Sequence, residues 1–466
     1  MAPGDHGRNA RFVGVCGERY VLGAMRFRLP RLPHPLVLLL GGVALAAGLT
    51  WVIPAGSYER RTDPVTQRSV VIPGTYAPAK AAPVGVGGAL MAVPRGIISG
   101  ADVILTILFV GGTFALLDAT GALARLVGSL LRRTRRPRLI LILVSVVFAT
   151  LGALENMHEE IIALIPVLLA LCTRLGFGAV TTLAVSVGAA VVGSAFGPTN
   201  PFQTGIALRF AELPALSQPV LRFSLLVAAV VVWLVWTLAM ASRDDVRPEP
   251  TTTDTAPATK RDVLLLVLAI APFVPYVIGV IRWDWGFNEL SATFLVAGFV
   301  IALVAGHTLS ESAALFLKAM EGLLAASLFV GVARGISVVL SDGRVMDTIV
   351  YGLATALARA PGSSAALLMI PAQALLHVPL PTVSGQAVLT MPILAPLCDL
   401  LGISRDSAVI AYQTGAGLMD MITPTDGALL AMLLGAGVGY DRWLRFAVPG
   451  AMLVAVVGVV GIVFAQ

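Results

Sequence analysis

From His34 to the C-terminus, long apolar runs alternate with short polar or basic joints. Runs of roughly 17 to 25 apolar residues match the bilayer core, and lipid forces each into a helix because no water satisfies the backbone there. The first expected span is about 34–54. The stretch AGSYERRTDPVTQRSVVIPGTYAP then sets turn residues between short β-branched runs, which reads as an external loop over about 55–84 with a small hairpin. A crossing at about 100–124 follows, and then the basic cluster RRTRRPR, Arg132 to Arg138.

From Arg138 the chain is apolar to Ala153, meets Glu155, Asn156, His158, Glu159 and Glu160, and is apolar again to Arg174. Arms of about 13 to 16 residues fall short of the roughly 20 that a span needs, so the pattern favours a re-entrant hairpin over 139–173 rather than two spans. A helix over about 178–213 breaks at GPTNPF, and 218–241 returns. The Pro-, Thr- and charge-rich 242–262 reads as a cytoplasmic linker.

The second half, 263–466, repeats the first, 34–241. Spans are expected at 263–281, 290–306 and 323–340, with an amphipathic SESAALFLKAMEG between the last two. A shift of 226 residues carries Pro166 onto Pro392, Cys172 onto Cys398, Gly176 onto Gly402, and Pro198-Thr199 onto Pro424-Thr425. The second hairpin is then 364–401, turning at VPLPTVSGQA, and the second broken helix is 404–439. Counting spans sends the two hairpins in from opposite faces, an inverted repeat whose site lies near the bilayer midplane. The expected fold class is therefore an all-α polytopic membrane protein, an inverted structural repeat with two re-entrant hairpins and two broken helices.

Composition sharpens this picture. Hydrophobic residues make up 57% and charged residues 12%, and mean hydropathy is +0.89, which excludes a soluble enzyme. The net charge of +6 sits mostly at the ends of apolar runs and is topogenic, so no nucleic acid partner is expected. The same rule places the polar N-terminal segment 1–33 in the cytoplasm, with the protein in the cytoplasmic membrane. Cys16, Cys172 and Cys398 have no metal spacing and read as small packing residues.

Carboxylates at membrane depth cost about 2.5 to 3.5 kcal/mol each, so Glu159, Glu160, Asp420 and Asp426 need partners or a wet cavity. Glu155 and Asp399 read instead as interfacial. Pro198, Pro201 and Pro424 should unwind their helices and free carbonyls, beside which Thr199, Asn200, Thr423, Thr425 and Asp426 add oxygens suited to a sodium ion or a proton-bearing group. Ser384, Gly385 and Gln386 at the second tip offer a hydroxyl, a close-approach backbone and an amide. His158 is a candidate charge partner. Arg334, expected to be the one buried cation, suits either a tip carboxylate or a solute carboxylate, and Asp342 reads as a cap for a helix beginning near Arg344. No cofactor is expected beyond a coupling sodium ion or proton, and no structural metal.

These motifs have a family likeness. VIPAGSYER, the Glu159-Glu160 tip, GPTNPFQTGIA, SGQAVLTMPILAPLCDLLG and GLMDMITPTDG resemble the YfcC-like transporters of the anaerobic C4-dicarboxylate carrier family over nearly the whole chain. The resemblance implies kinship with the ion-transporter superfamily of sodium-coupled dicarboxylate symporters, homodimers in which a scaffold domain carries a transport domain with two hairpins. It implies roles for Glu159, Glu160, Asn200, Pro201, Ser384, Gly385, Gln386, Thr423, Pro424 and Thr425. Substrates attached to the family are C4-dicarboxylates and basic amino acids. The chain departs from it at Gly415-Ala416-Gly417, where Gly-Asp-Gly is common, at Asp420 for Asn and at Asp426 for Ser.

The function expected is secondary active transport, symport or antiport, of a small organic solute. The extra acids Asp420 and Asp426 tilt the choice toward a basic or zwitterionic amino acid over a C4-dicarboxylate or short-chain carboxylate. A rival reading takes Glu159, Glu160 and His158 as metal ligands of an intramembrane enzyme. Adjacent glutamates on a helix point about 100° apart and match no HExxH pattern, which weighs against it.

Overall fold

A computed structural model describes residues 34–63, 69–122, 125–126, 129, 136–241, 257–283 and 285–466. The N-terminal segment 1–33, most of the RRTRRPR cluster, most of the 242–262 linker and the Glu155 side chain lie outside the described residues. Among the described residues nine helices are long and apolar enough to cross a membrane. The chain is an all-α, multi-pass membrane protein.

Helix α1 (Pro35–Val52) is the expected first span, begun by a proline at its first turn, where a missing amide costs nothing. The 55–84 loop is a nested pair of antiparallel ribbons, β1 (Gly56–Ser57) on β4 (Ala77–Pro78) and β2 (Arg60–Thr62) on β3 (Ser69–Val71). The crossing expected at 100–124 is preceded by another helix: α2 (Val86–Ser99) meets α3 (Ala101–Ala119) at Gly100. Glycines and Pro94 lower the helix propensity of α2, which is why its pattern reads weakly; tertiary packing overrides that.

The first hairpin is α4 (Pro137–Glu155) and α5 (Ile161–Arg174). Its first arm has 19 residues, longer than expected, because helix continues until Asn156 ends it in the left-handed region at φ 55°. The first broken helix is α6 (179–196) and α7 (201–210), followed by α8 (Pro219–Ala241). The span expected at 263–281 is two helices, α9 (Lys260–Ile270) and α10 (Phe273–Trp283), separated at Pro272, which lacks the amide to continue the ladder.

Next come α11 (Phe287–Val304), the amphipathic α12 (Leu309–Glu321) with a Thr308/Glu311 capping box, α13 (Leu324–Asp342) and α14 (Met346–Leu357). The second hairpin is α15 (Gly362–His377) and α16 (Val383–Leu401). Its tip is shorter than VPLPTVSGQA, because Thr382 caps α16 and residues from Val383 onward are already helical. The second broken helix is α17 (405–417) and α18 (Gly427–Gly435), and α19 (Tyr440–Ala465) closes the chain.

The packing repeats along with the sequence. Each hairpin lays its first arm on the first half of its own broken helix, α4 on α6 and α15 on α17. Each lays its second arm on the second half of the other repeat's broken helix, α5 on α18 and α16 on α7. Small residues allow the closest of these contacts: a Cβ on Gly193 would lie 1.9 Å from the Ala149 carbonyl oxygen, and one on Gly152 would lie 2.0 Å from that of Ala190. Over its most apolar stretch the 179–210 helix is 94% buried, against 22% for α8, so this broken helix lies in the interior and α8 faces outward.

Candidate functional site

At the first break Asn200 caps α7, its Oδ1 accepting the Phe202 and Gln203 amides at 2.9 Å each. Its Nδ2 reaches back to the first hairpin, donating to Gly152 O (3.1 Å) and Asn156 Oδ1 (3.2 Å). Asp426 stands at the equivalent place and caps α18, its Oδ1 accepting the Ala428 and Leu429 amides at 2.8 and 3.3 Å. Its Oδ2 makes no hydrogen bond and faces His158 Nε2 at 3.5 Å. The paired threonines also match, Thr199 donating to Ala153 O and Thr425 to Val378 O, so each break is tied to its own hairpin.

The carbonyls freed by Pro198 and Pro424 are largely claimed, which corrects the expectation that they stand open. Ala195 O accepts Gln413 Nε2 and Gly197 O accepts Thr204 Oγ1 at the first break. At the second, Trp443 Nε1 donates to Met421 O at 2.7 Å and the Tyr440 hydroxyl to Ile422 O. Buried polar backbone must find donors, and the chain supplies them from its own side chains.

The second break and both hairpin tips open onto a cavity of about 570 Å³. His158, Glu159 and Glu160 from the first tip, Ser384 from α16, and Asp420, Thr425 and Asp426 from the second break line it. The α2 and α13 wall contributes Arg95, Ser99, Arg334, Ser337 and Asp342. Glu160 is buried, with Oε2 accepting the His158 amide at 3.1 Å, so the tip is wound tightly around a carboxylate.

Other expected site residues stand apart from the cavity. Thr199 and Pro201 are exposed outside it, Gly385 lines a separate groove beside Arg60 and Asp347, and Gln386 is wholly buried inside the hairpin. Asn200 is buried in the first-break network, and Thr423 is buried with an unpartnered hydroxyl. Asp399 pairs with Arg405 at 2.6 Å, as its interfacial reading implied.

Arg334 is not the buried cation it was expected to be. Its side chain is 39% exposed, donating to Ser99 O at 2.5 Å and lying 3.9 Å from Asp102. Among the described residues the buried arginine is Arg222, 2% exposed, which joins Asp406 Oδ1 (2.8 Å), Gln413 Oε1 (2.6 Å) and Ser217 O (2.9 Å). Asp342 does not begin a helix but ends α13, and takes Arg95 at 2.5 and 3.1 Å.

Two residues the sequence reading passed over complete the picture. His377, at the end of α15, is wholly buried with Nε2 2.8 Å from Asp420 Oδ1. A histidine in an apolar arm is itself a signal of intramembrane chemistry. Arg95 sits in the weakly patterned α2, where nothing local marks it. Among the described residues no group of three or more His, Cys, Asp and Glu side chains converges as metal ligands would.

Residues 32–466 match the family model described as C4-dicarboxylate anaerobic carrier. The chain is 31% identical to the putative basic amino acid antiporter YfcC of Escherichia coli, over 74% of this chain and 73% of that one. It is 28% identical to an uncharacterized protein of Haemophilus influenzae, over 90% and 93%. Among solved structures, the Alcanivorax borkumensis YdaH transporter aligns with 92% of this chain and 97% of its own at 16% identity and a TM-score of 0.44. Neisseria gonorrhoeae MtrF aligns with 92% and 94% at 15% and 0.43.

Proposed function

The chain belongs to the C4-dicarboxylate anaerobic carrier family and is a membrane transporter of that type, and on that premise we propose that it moves a basic or zwitterionic amino acid across the cell membrane by secondary active transport. The observation that carries this reading is the distribution of charge in the cavity. Glu159, Glu160, Asp420 and Asp426 gather at the tips and the second break, while Arg95 and Arg334 lie on the α2 and α13 wall. Arg95 is held by two contacts to Asp342, whereas Arg334 meets Asp102 only at 3.9 Å, so Arg334 is the arginine better placed to meet a solute carboxylate.

An α-amino acid fits such a two-sided site, with its carboxylate on Arg334 and its amines on the acids. A dicarboxylate fits less well. Each solute carboxylate about 6 Å from an ionised site carboxylate is repelled by ~3 kcal/mol at an effective dielectric of ~20, and acidic side chains outnumber arginines around the cavity. The description of the Escherichia coli relative as a putative basic amino acid antiporter is in keeping with this reading. The protein would act as a homodimer, each subunit's α2 and α13 wall serving as the fixed side against which the hairpins and broken helices move.

Uptake and counterflow of arginine, ornithine and succinate in proteoliposomes, under imposed sodium or proton gradients, test the reading. Arginine or ornithine flux is the expected result. Robust succinate flux with no response to cationic amino acids would overturn it.

A further inference from the structure

We propose that His377 and Asp420 together form a proton-binding site, and that the proton held there is exchanged for the amine of the solute. The proposal rests on the transport reading above and deepens it, assigning to one pair of residues the coupling that the cavity itself leaves open.

The hydrogen bonds around His377 fix its tautomer. Gln386 Nε2 donates to Gln373 O (2.8 Å) and to Gln373 Oε1 (2.6 Å), both acceptors, so Gln386 must turn its oxygen toward His377. Gln373 is fixed in turn. Its Nε2 donates at 3.1 Å to Thr390 Oγ1, which spends its own proton on Gln386 O at 2.8 Å. Gln386 Oε1 then lies 2.9 Å from His377 Nδ1, which therefore carries a hydrogen. That leaves Nε2 as the basic nitrogen.

Nε2 is 2.8 Å from Asp420 Oδ1. An imidazole lone pair and a bare carboxylate would repel at that distance, so the pair holds one proton, as imidazolium with carboxylate or as imidazole with carboxylic acid. Either form is neutral, and losing the proton leaves the pair at minus one. Asp420 lines the cavity and His377 does not, so the proton enters and leaves through the carboxyl group.

The surrounding groups set the direction of exchange. Asp426 and His158 face the pair from α18 and the first tip, and Glu159 and Glu160 stand beside them on the same cavity. From α17 the Tyr412 hydroxyl is turned away, donating to Val383 O at 2.6 Å. A pair that has lost its proton adds a negative charge to this acidic cluster, which an arriving ammonium or guanidinium neutralises. Proton and amine thus compete for one charge, and the proton leaves to the water of the cavity as the amine binds. A site of this kind exchanges the two rather than carrying them together.

The test uses the full-length protein, wild type and the variants His377→Gln, Asp420→Asn and Gln386→Leu, each first checked for monodispersity. Infrared difference titration without solute should show a carboxyl and imidazole signal in wild type that is missing from H377Q and D420N. In Q386L the pair survives with its tautomer unpinned, and the signal should remain with a shifted midpoint. Should H377Q and D420N fail to fold, the Q386L shift decides. Arginine added in weak buffer should release protons from wild type and not from H377Q or D420N. In proteoliposomes, one coupled proton makes each unit of pH gradient worth about a tenfold change in the steady-state solute ratio, a dependence that H377Q should lose. The proposal is overturned if H377Q and D420N titrate and release protons as wild type does, or if Q386L leaves the midpoint unmoved. Absence of any arginine or ornithine binding would instead sink the substrate reading, while the solute-free titration still judges the proton site.

Discussion

Asn200 and Asp426 occupy the same position of the two repeats, and each opens the second half of its broken helix by accepting the amides two and three residues ahead. They differ in what the remaining side-chain atom does. The Asn200 amide donates into its own hairpin, whereas the second Asp426 oxygen is left facing the tip of the other.

Asp426→Asn should therefore separate cap from charge. Asparagine caps as well as aspartate, so thermal stability in detergent should stay within about 1 kcal/mol of wild type, while Asp426→Ala loses ~1 to 2 kcal/mol. Arginine uptake by Asp426→Asn should fall at every sodium concentration and every pH, because a direct contact with the solute is lost. Uptake that recovers fully at high sodium would argue for an ion ligand instead.

Arg334→Gln should discriminate solutes by their carboxylate. Losing one charge-assisted hydrogen bond should raise the KM for arginine about tenfold or more. Binding of agmatine, which has the guanidinium and no carboxylate, should be unchanged. Equal effects on both would place Arg334 in a structural role.

Gly193→Val should prevent assembly of the first repeat, since even its Cβ would lie 1.9 Å from the Ala149 carbonyl oxygen on the first hairpin. Backbone cannot yield as a side-chain end can, and the cost should exceed ~3 kcal/mol. Gly41→Ala, with nothing within 4 Å, is the control and should gain up to ~1 kcal/mol of helix propensity. Yield of monodisperse protein reads both.

Single cysteines at Arg136 and Pro361, at the starts of the two hairpins, should label from opposite sides with a membrane-impermeant maleimide. With Cys16 first replaced by serine, the two remaining native cysteines, Cys172 and Cys398, are buried and should stay silent. Labelling of both new sites from one side would abolish the inverted topology.

The ion pair of Arg125 with Asp262 joins the segment just after α3 to the start of α9, at 2.7 Å. The Arg125 guanidinium, and after it the Thr259 amide and hydroxyl, hold the Asp262 carboxyl well below the usual carboxylate range. A depressed carboxyl stabilises the fold above its unfolded value of about 4 and loses that contribution as pH falls through the folded value. The difference in melting temperature between wild type and Arg125→Ala should thus be constant from neutral pH to about pH 5 and shrink only in stronger acid. A difference that shrinks already near neutrality would exclude this pair as its source.

The broken helices and hairpins were legible because their signals are local. A proline beside threonine in an apolar run, or a knot of acids between two apolar arms, marks its own position, and the 226-residue register doubles each mark. What the sequence hid depends on distance. The helix α2 is poor in propensity and exists through burial against α13, so Arg95 and its pair with Asp342 could not be placed. The freed carbonyls at Met421 and Ile422 gave no hint that Tyr440 and Trp443, a whole helix away in the chain, would claim them. Ser384, Gly385 and Gln386 read as one grip at the tip, but as part of a helix they point three ways, to the cavity, to an outer groove and into the core.

The lattice around Arg222 has a mechanical meaning. Gln413, in the second repeat, accepts from Arg222 and donates to Ala195 O and Thr204 Oγ1 on either side of the first break, while Asp406 anchors the same guanidinium. Both broken helices and α8 are thereby stitched across the repeat boundary by buried polar bonds, none of which can open without leaving a buried polar or charged group unpaired. Whatever displacement one broken helix makes, the other shares.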